Sequence, residues 1–138
     1  MNRYFDEMVL SASPMELIRL LYQKAIASIE AARQHLNSGR IDKRSQAINN
    51  AYLVVTELTA SLRPDSAPEL SERLAALYAY MQTRLLSANL LQEDAPLAEV
   101  QGLLVTLSES WDSIPDRNET RPDSRRLSDS EGRISVTA

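Results

Sequence analysis

Large apolar residues recur at alternating steps of three and four along most of this chain, the spacing that lines up one face of an α-helix. In the first stretch the stripe reads Ile18, Tyr22, Ala25, Ile29, Ala32 and Leu36. It opens at Ser13-Pro14-Met15-Glu16, where Ser13 suits the N-cap, Pro14 the first helical position and Glu16 the acidic member of a capping box. Gly39 then supplies a residue able to take the left-handed conformation that ends helices. A second stripe of Ile48, Ala51, Val55, Leu58 and Leu62 predicts a helix from about Ile41 to Leu62. Pro64 and Pro68 bracket the turn that follows. The third helix is expected from Pro68 to Leu91, with Leu70, Leu74, Leu77, Met81, Leu85 and Ala88 on its stripe. After a break at Glu93-Asp94-Ala95-Pro96, a fourth carries Leu97, Val100, Leu104, Leu107 and Trp111 and stops before Pro115.

At 1.5 Å per residue these helices would be roughly 27–37 Å long, comparable with one another. Similar lengths and short connections predict an all-α antiparallel up-down four-helix bundle over residues 13–114. Composition supports this, since 138 residues contain only three glycines and no Asn-Gly or Asp-Gly hairpin signal. Residues 115–138 are different in kind. They are rich in Ser, Asp and Arg, contain Pro115 and Pro122, and are expected to form a disordered tail. Their five arginines offset five carboxylates, so the whole net charge of −4 belongs to the body. Residues 1–12 are too apolar for a free tail. Tyr4, Phe5, Met8 and Leu10 are expected to fold back as a cap over the bundle.

Charge and motifs exclude several classes of function. The mild acidity argues against nucleic acid, which calls for a basic stripe. The N-terminus lacks the basic and apolar regions of a secretory signal, and no apolar run is long enough to insert in a bilayer. With no cysteine there is neither a disulfide framework nor a thiolate metal site. His35 stands alone, the carboxylates are scattered, and Gly39 and Gly102 make no phosphate-cradling loop. No catalytic residue, metal site or cofactor is expected, and the chain reads as a binding protein.

Three windows are more apolar than a bundle needs. Leu17, Ile18, Leu20, Leu21 and Tyr22 cover most of the first helix's circumference over two turns. Tyr52, Leu53, Val54 and Val55 point in all directions from the second. Leu85, Leu86, Leu90 and Leu91 add a second stripe to the third. Either the chain's own segments cover these surfaces or a partner does. A groove for an amphipathic helix is the natural expectation, lined by Leu17, Leu20, Leu21, Val54, Leu58, Leu62, Leu85, Leu86 and Asn89. The competing expectation is a self-associating structural or adaptor protein that uses the same surface, including a homodimer when no client is bound.

Ser11-Ala12-Ser13-Pro14 followed by Leu17, Ile18, Leu21, Tyr22 and Ala25 resembles the opening of the flagellar secretion chaperone FliS family. Leu74-Ala75-Ala76-Leu77-Tyr78-Ala79-Tyr80-Met81, with Arg84-Leu85-Leu86 and Ala88-Asn89 after it, resembles that family's signature on the third helix. Trp111 closes the fourth helix as in the family, and the resemblance spans roughly residues 8–114. It implies a cytoplasmic bundle that binds the disordered C-terminal segment of flagellin. Such a protein prevents premature polymerisation and delivers the client to the export gate of the flagellar type III apparatus. Ser66-Ala67-Pro68 and Gln23-Lys24 depart from the family pattern, and the segment before Ser11 is short.

Overall fold

A computed structural model describes residues 13–114. The expected N-terminal cap, with Tyr4, Phe5, Met8 and Leu10, and the expected tail at 115–138 lie outside the described residues. Four helices make up the described chain: α1 (Pro14–Asn37), α2 (Ile41–Ala60), α3 (Pro68–Leu91) and α4 (Asp94–Asp112). Each packs on its neighbours in sequence, and α4 returns to α1 to close the ring. With such short connections, this is the up-down antiparallel arrangement that the matched helix lengths predicted. The contact between α1 and α2 is the most extensive. Both contribute buried alanines to the core (Ala25 and Ala32, Ala47 and Ala51), small enough for backbones to approach closely.

Local chemistry sets the helix ends. Ser13 Oγ accepts the Glu16 backbone N–H at 3.2 Å, satisfying one of the orphan donors of the first turn. Gly39 takes φ 71°, and Arg40 N–H donates to His35 O at 2.9 Å while Gly39 N–H donates to Leu36 O at 3.2 Å. That bond pair is the Schellman closure expected of a glycine here. Two boundaries differ from the sequence reading. α2 ends at Ala60, which leaves Leu62 in the turn. α4 starts at Asp94 and takes Pro96 into its first turn, where a missing N–H costs no helical hydrogen bond. Between α3 and α4, Gln92 adopts the left-handed conformation at φ 56°. Glu93 N–H then donates to Ala88 O at 3.2 Å, so the chain reverses within two residues.

The stripes converge on one core that includes Ile29, Val55, Leu58, Met81, Leu85, Leu97 and Leu104, with Leu77, Leu107 and Trp111 packed at its edge. Two tyrosine hydroxyls are placed inside it. Tyr22 Oη lies 2.6 Å from Tyr78 Oη, and Trp111 Nε1 donates to Tyr22 Oη at 3.1 Å. Three helices are thereby tied through a chain of buried hydrogen bonds. Burial raises the Tyr22 phenol above its ordinary value of 10.0, against the smaller opposing effect of its hydrogen bonds. Burial, then the bond to Tyr22, raises Tyr78 further. Both groups favour the fold only as neutral phenols. Their contribution is complete below the ordinary phenol value and is lost as pH rises toward the raised values.

Two consequences can be measured together by tyrosinate absorbance and circular dichroism. As pH rises past the ordinary phenol value Tyr22 and Tyr78 stay protonated in the folded chain, and stability falls with each further step in pH. Tyr78→Phe makes that decline shallower. Ionisation of all the tyrosines near pH 10 with the helices undisturbed would contradict this picture of the core.

Candidate functional site

Polar residues bridge the α1–α4, α3–α4 and α2–α3 seams, each in a different way. On α1–α4, Arg33 holds both carboxylate oxygens of Asp94 at 2.8 and 2.9 Å and donates to Gln101 Oε1 at 2.7 Å. Gln101 in turn donates to Glu30 at 2.9 Å, and that bond is the main reason the Glu30 carboxyl sits below its ordinary value. On α3–α4, Glu99 accepts from Tyr80 Oη at 2.5 Å and from Arg84 Nε at 2.7 Å. The Tyr80 bond first, then Arg84, depresses the Glu99 carboxyl, and the same bond raises Tyr80. On α2–α3, Gln82 Nε2 donates to Tyr52 O at 3.1 Å and Thr56 Oγ1 at 2.9 Å, while Arg44 and Ser45 meet Asn89. Neutral acceptors alone bridge this third seam among the described residues.

Three large exposed apolar groups lie beside that same seam. Leu86 is 56% exposed, Leu90 81% and Leu53 54%. Leu86 lies four residues after Gln82 and three before Asn89, which puts it on the face of α3 that bridges to α2. Leu90 follows one turn later on the same face. Leu53 neighbours Tyr52 and Thr56, the α2 residues that Gln82 bonds. Leu91 and Tyr80 extend the exposed apolar surface around α3. A cleft of about 200 Å³ opens at one end of the bundle, lined by Ile18, Leu62, Leu70, Leu74, Tyr78 and Trp111 among others. Its floor includes the Tyr78 and Trp111 members of the buried hydrogen-bond chain. At the opposite end a wider depression is lined mainly by polar groups such as Glu30, Arg33, Asn37 and Asp94.

The residues expected to line a groove divide accordingly. Leu21, Val54, Leu58 and Leu85 are buried in the core, so a partner reaches them only if the helices separate. Leu17, Leu20 and Leu62 are half-buried, and Leu62 lines the end cleft. Leu86 alone of the nine is fully on the surface, while Asn89 is half-buried and engaged by α2. The apolar surplus of α1 is therefore largely consumed within the bundle, whereas that of α2 and α3 leaves Leu53, Leu86, Leu90 and Leu91 outside. Arg44 was missed by sequence reasoning. A cation in the first turn of a helix reads as a solvated group, yet it is 5% exposed. Among the described residues His35 Nδ1, in the last turn of α1, is enclosed without a hydrogen-bond partner. Among the described residues no cluster of His, Asp and Glu could hold a metal ion, and no helix is long and apolar enough to cross a membrane.

Residues 1–118 match the model of the family described as flagellar protein FliS. The chain is 34% identical to the flagellar secretion chaperone FliS of Salmonella typhimurium over 110 residues, 79% of this chain and 82% of that protein. It is 30% identical to the flagellar secretion chaperone FliS of Bacillus subtilis over 108 residues, 78% of this chain and 80% of the relative. A third relative, the flagellar secretion chaperone FliSB of Pseudomonas aeruginosa, is 31% identical over 109 residues, 79% of this chain and 86% of its own.

Adjacent leucines on α3 should behave oppositely in thermal or denaturant unfolding. Leu85→Asp places an unpaired charge in the core and abolishes the cooperative transition. Leu86→Asp changes stability by no more than about 0.5 kcal/mol, as for an ordinary surface site. Equal losses from the two would show that Leu86 is covered in solution.

Proposed function

The chain belongs to the FliS family of flagellar proteins, and on that premise we propose that it is a cytosolic export chaperone for flagellin. It acts by binding, without catalysis or cofactor, and its client is the disordered C-terminal segment of flagellin. Holding that segment prevents premature polymerisation, and the complex is handed to the export gate of the flagellar type III apparatus. The observation that supports this most directly is the row of large apolar side chains on the α2–α3 side, Leu53, Leu86 and Leu90, beside bridging amides and hydroxyls. Fully burying each such side chain yields roughly 1.5–3 kcal/mol, from which the cost of ordering a client is subtracted.

The N-terminal segment fits the same reading. It joins the bundle at Ser13, at the end where Ile18, Leu62, Leu70 and Leu74 line the apolar cleft. Tyr4, Phe5, Met8 and Leu10 are the large apolar groups it could lay there when no client is present, to be displaced on binding. Among the expected groove residues, Leu17, Leu20, Leu62, Leu86 and Asn89 can meet a client without opening the core. Leu53 and Leu90 join them.

Isothermal titration with the last few dozen residues of the cognate flagellin tests the proposal. The wild-type chain forms a one-to-one complex, and the double substitution Leu86→Asp, Leu90→Asp weakens it at least about tenfold while leaving the melting transition in place, given what a buried leucine is worth. Removal of residues 1–10 raises binding of an apolar dye in the client-free state. A chain that dimerises through this face and ignores the flagellin segment would instead be a self-associating adaptor.

A further inference from the structure

Among the described residues, the α2–α3 seam gathers hydrogen-bond donors around a buried cation and pairs no carboxylate with it. Arg44, in the first turn of α2, is 5% exposed, and its Nε donates to Asn89 Oδ1 at 3.2 Å. Ser45 Oγ donates to the same oxygen at 2.9 Å. The other arginines that join helices are answered by carboxylates: Arg19 by Asp112, Arg33 by Asp94 and Arg84 by Glu99. Those three are considerably more exposed than Arg44, so the least solvated of the four is the one facing only a neutral amide. Enclosed guanidinium groups are ordinarily paired with a carboxylate, because a carbonyl dipole offsets little of the lost hydration. Asn89 spends its oxygen on both donors. That leaves its two amide hydrogens without a partner among the described residues.

The surroundings say what would complete the arrangement. Asn89 follows exposed Leu86 by three residues on the bridging face of α3, and exposed Leu90 is its neighbour in sequence. A segment that covers Leu86 on the side of the seam lies beside Asn89, whose amide oxygen holds Arg44. We propose that Arg44, Ser45 and Asn89 form a subsite for the carboxylate of an Asp or Glu side chain on the bound client, seated between the contacts to Leu86 and Leu90. The exposed leucines continue on both sides of Asn89, so the chain runs past this point, and an internal side chain fits better than a chain terminus. The inference rests on the client-binding reading and adds to it a charged specificity element beside an apolar one. A purely structural clamp between α2 and α3 would use the same Arg44–Asn89 bond but would not respond to the client's charge.

Titration of the wild-type chain with flagellin C-terminal peptides tests this, each peptide carrying one Asp→Asn or Glu→Gln replacement. One replacement should lower affinity roughly ten- to hundredfold, the worth of a hydrogen bond to a charged group. Arg44→Gln should bind the unmodified peptide more weakly by a similar factor and be indifferent to that replacement. Asn89→Asp places the carboxylate on the protein itself. It should raise the melting temperature and weaken the peptide, so a folded variant reports even where Arg44→Gln does not fold. Indifference of the wild type to every replacement, or an Asn89→Asp chain that binds as tightly as wild type, would overturn the subsite. Sensitivity only to amidation of the peptide's C-terminus would overturn the side-chain assignment. Failure of the wild type to bind the unmodified peptide would remove the chaperone reading itself, and the subsite with it.

Discussion

A hydroxyl buried among leucines must find a partner or destabilise the fold, and the bundle is built around meeting that demand at Tyr22. Its oxygen accepts the Trp111 N–H and is hydrogen-bonded to the Tyr78 hydroxyl, so α1, α3 and α4 are fixed to one another at a single level. Apolar contacts alone tolerate a helix sliding by a turn, because one leucine replaces another at little cost. A directional bond at 2.6 Å between two buried oxygens does not. The remaining core, from Leu58 on α2 to Leu104 on α4, packs within the frame this sets.

That frame decides which apolar residues are used internally. On α1 the rotation that brings Tyr22 inward also buries Leu21, Ala25, Ile29 and Ala32, and leaves Leu17 and Leu20 half-covered. On α3 the rotation that buries Tyr78 also buries Leu85 and leaves Leu86 and Leu90 facing outward. The exposed leucines are thus what remains when two tyrosines choose the helix faces. Exposed apolar residues gathered in this way mark either an aggregation liability or a surface for a partner.

The seams differ in the same sense. Bidentate Arg33–Asp94 and the Tyr80–Glu99–Arg84 cluster hold α4 against α1 and α3 with opposite charges already matched. Between α2 and α3 only amides, hydroxyls and one enclosed arginine make the bridge. Charged seams that are internally satisfied have little to offer a partner, whereas an apolar surface with spare donors beside it has both affinity and a means of choosing.

Much of this was legible in the residues. Spacing of three and four gave the helices, Ser13 and Gly39 gave the ends of the first, and scarce glycine with no hairpin turn excluded a sheet, all because these depend on neighbours in sequence. The motifs around Ser13-Pro14 and Leu74–Met81 also sufficed to identify the family. What they could not give was rotational phase. Leu85 and Leu86 are adjacent and chemically identical, and only packing against the other helices makes one a core residue and the other a surface one. The same holds for Arg44, whose burial depends on how α3 lies against α2, and for Pro96, absorbed into a helix start that the sequence reads as a break. Local chemistry determined where the helices are; their mutual orientation, a property of no single segment, determined which side chains are left for a partner.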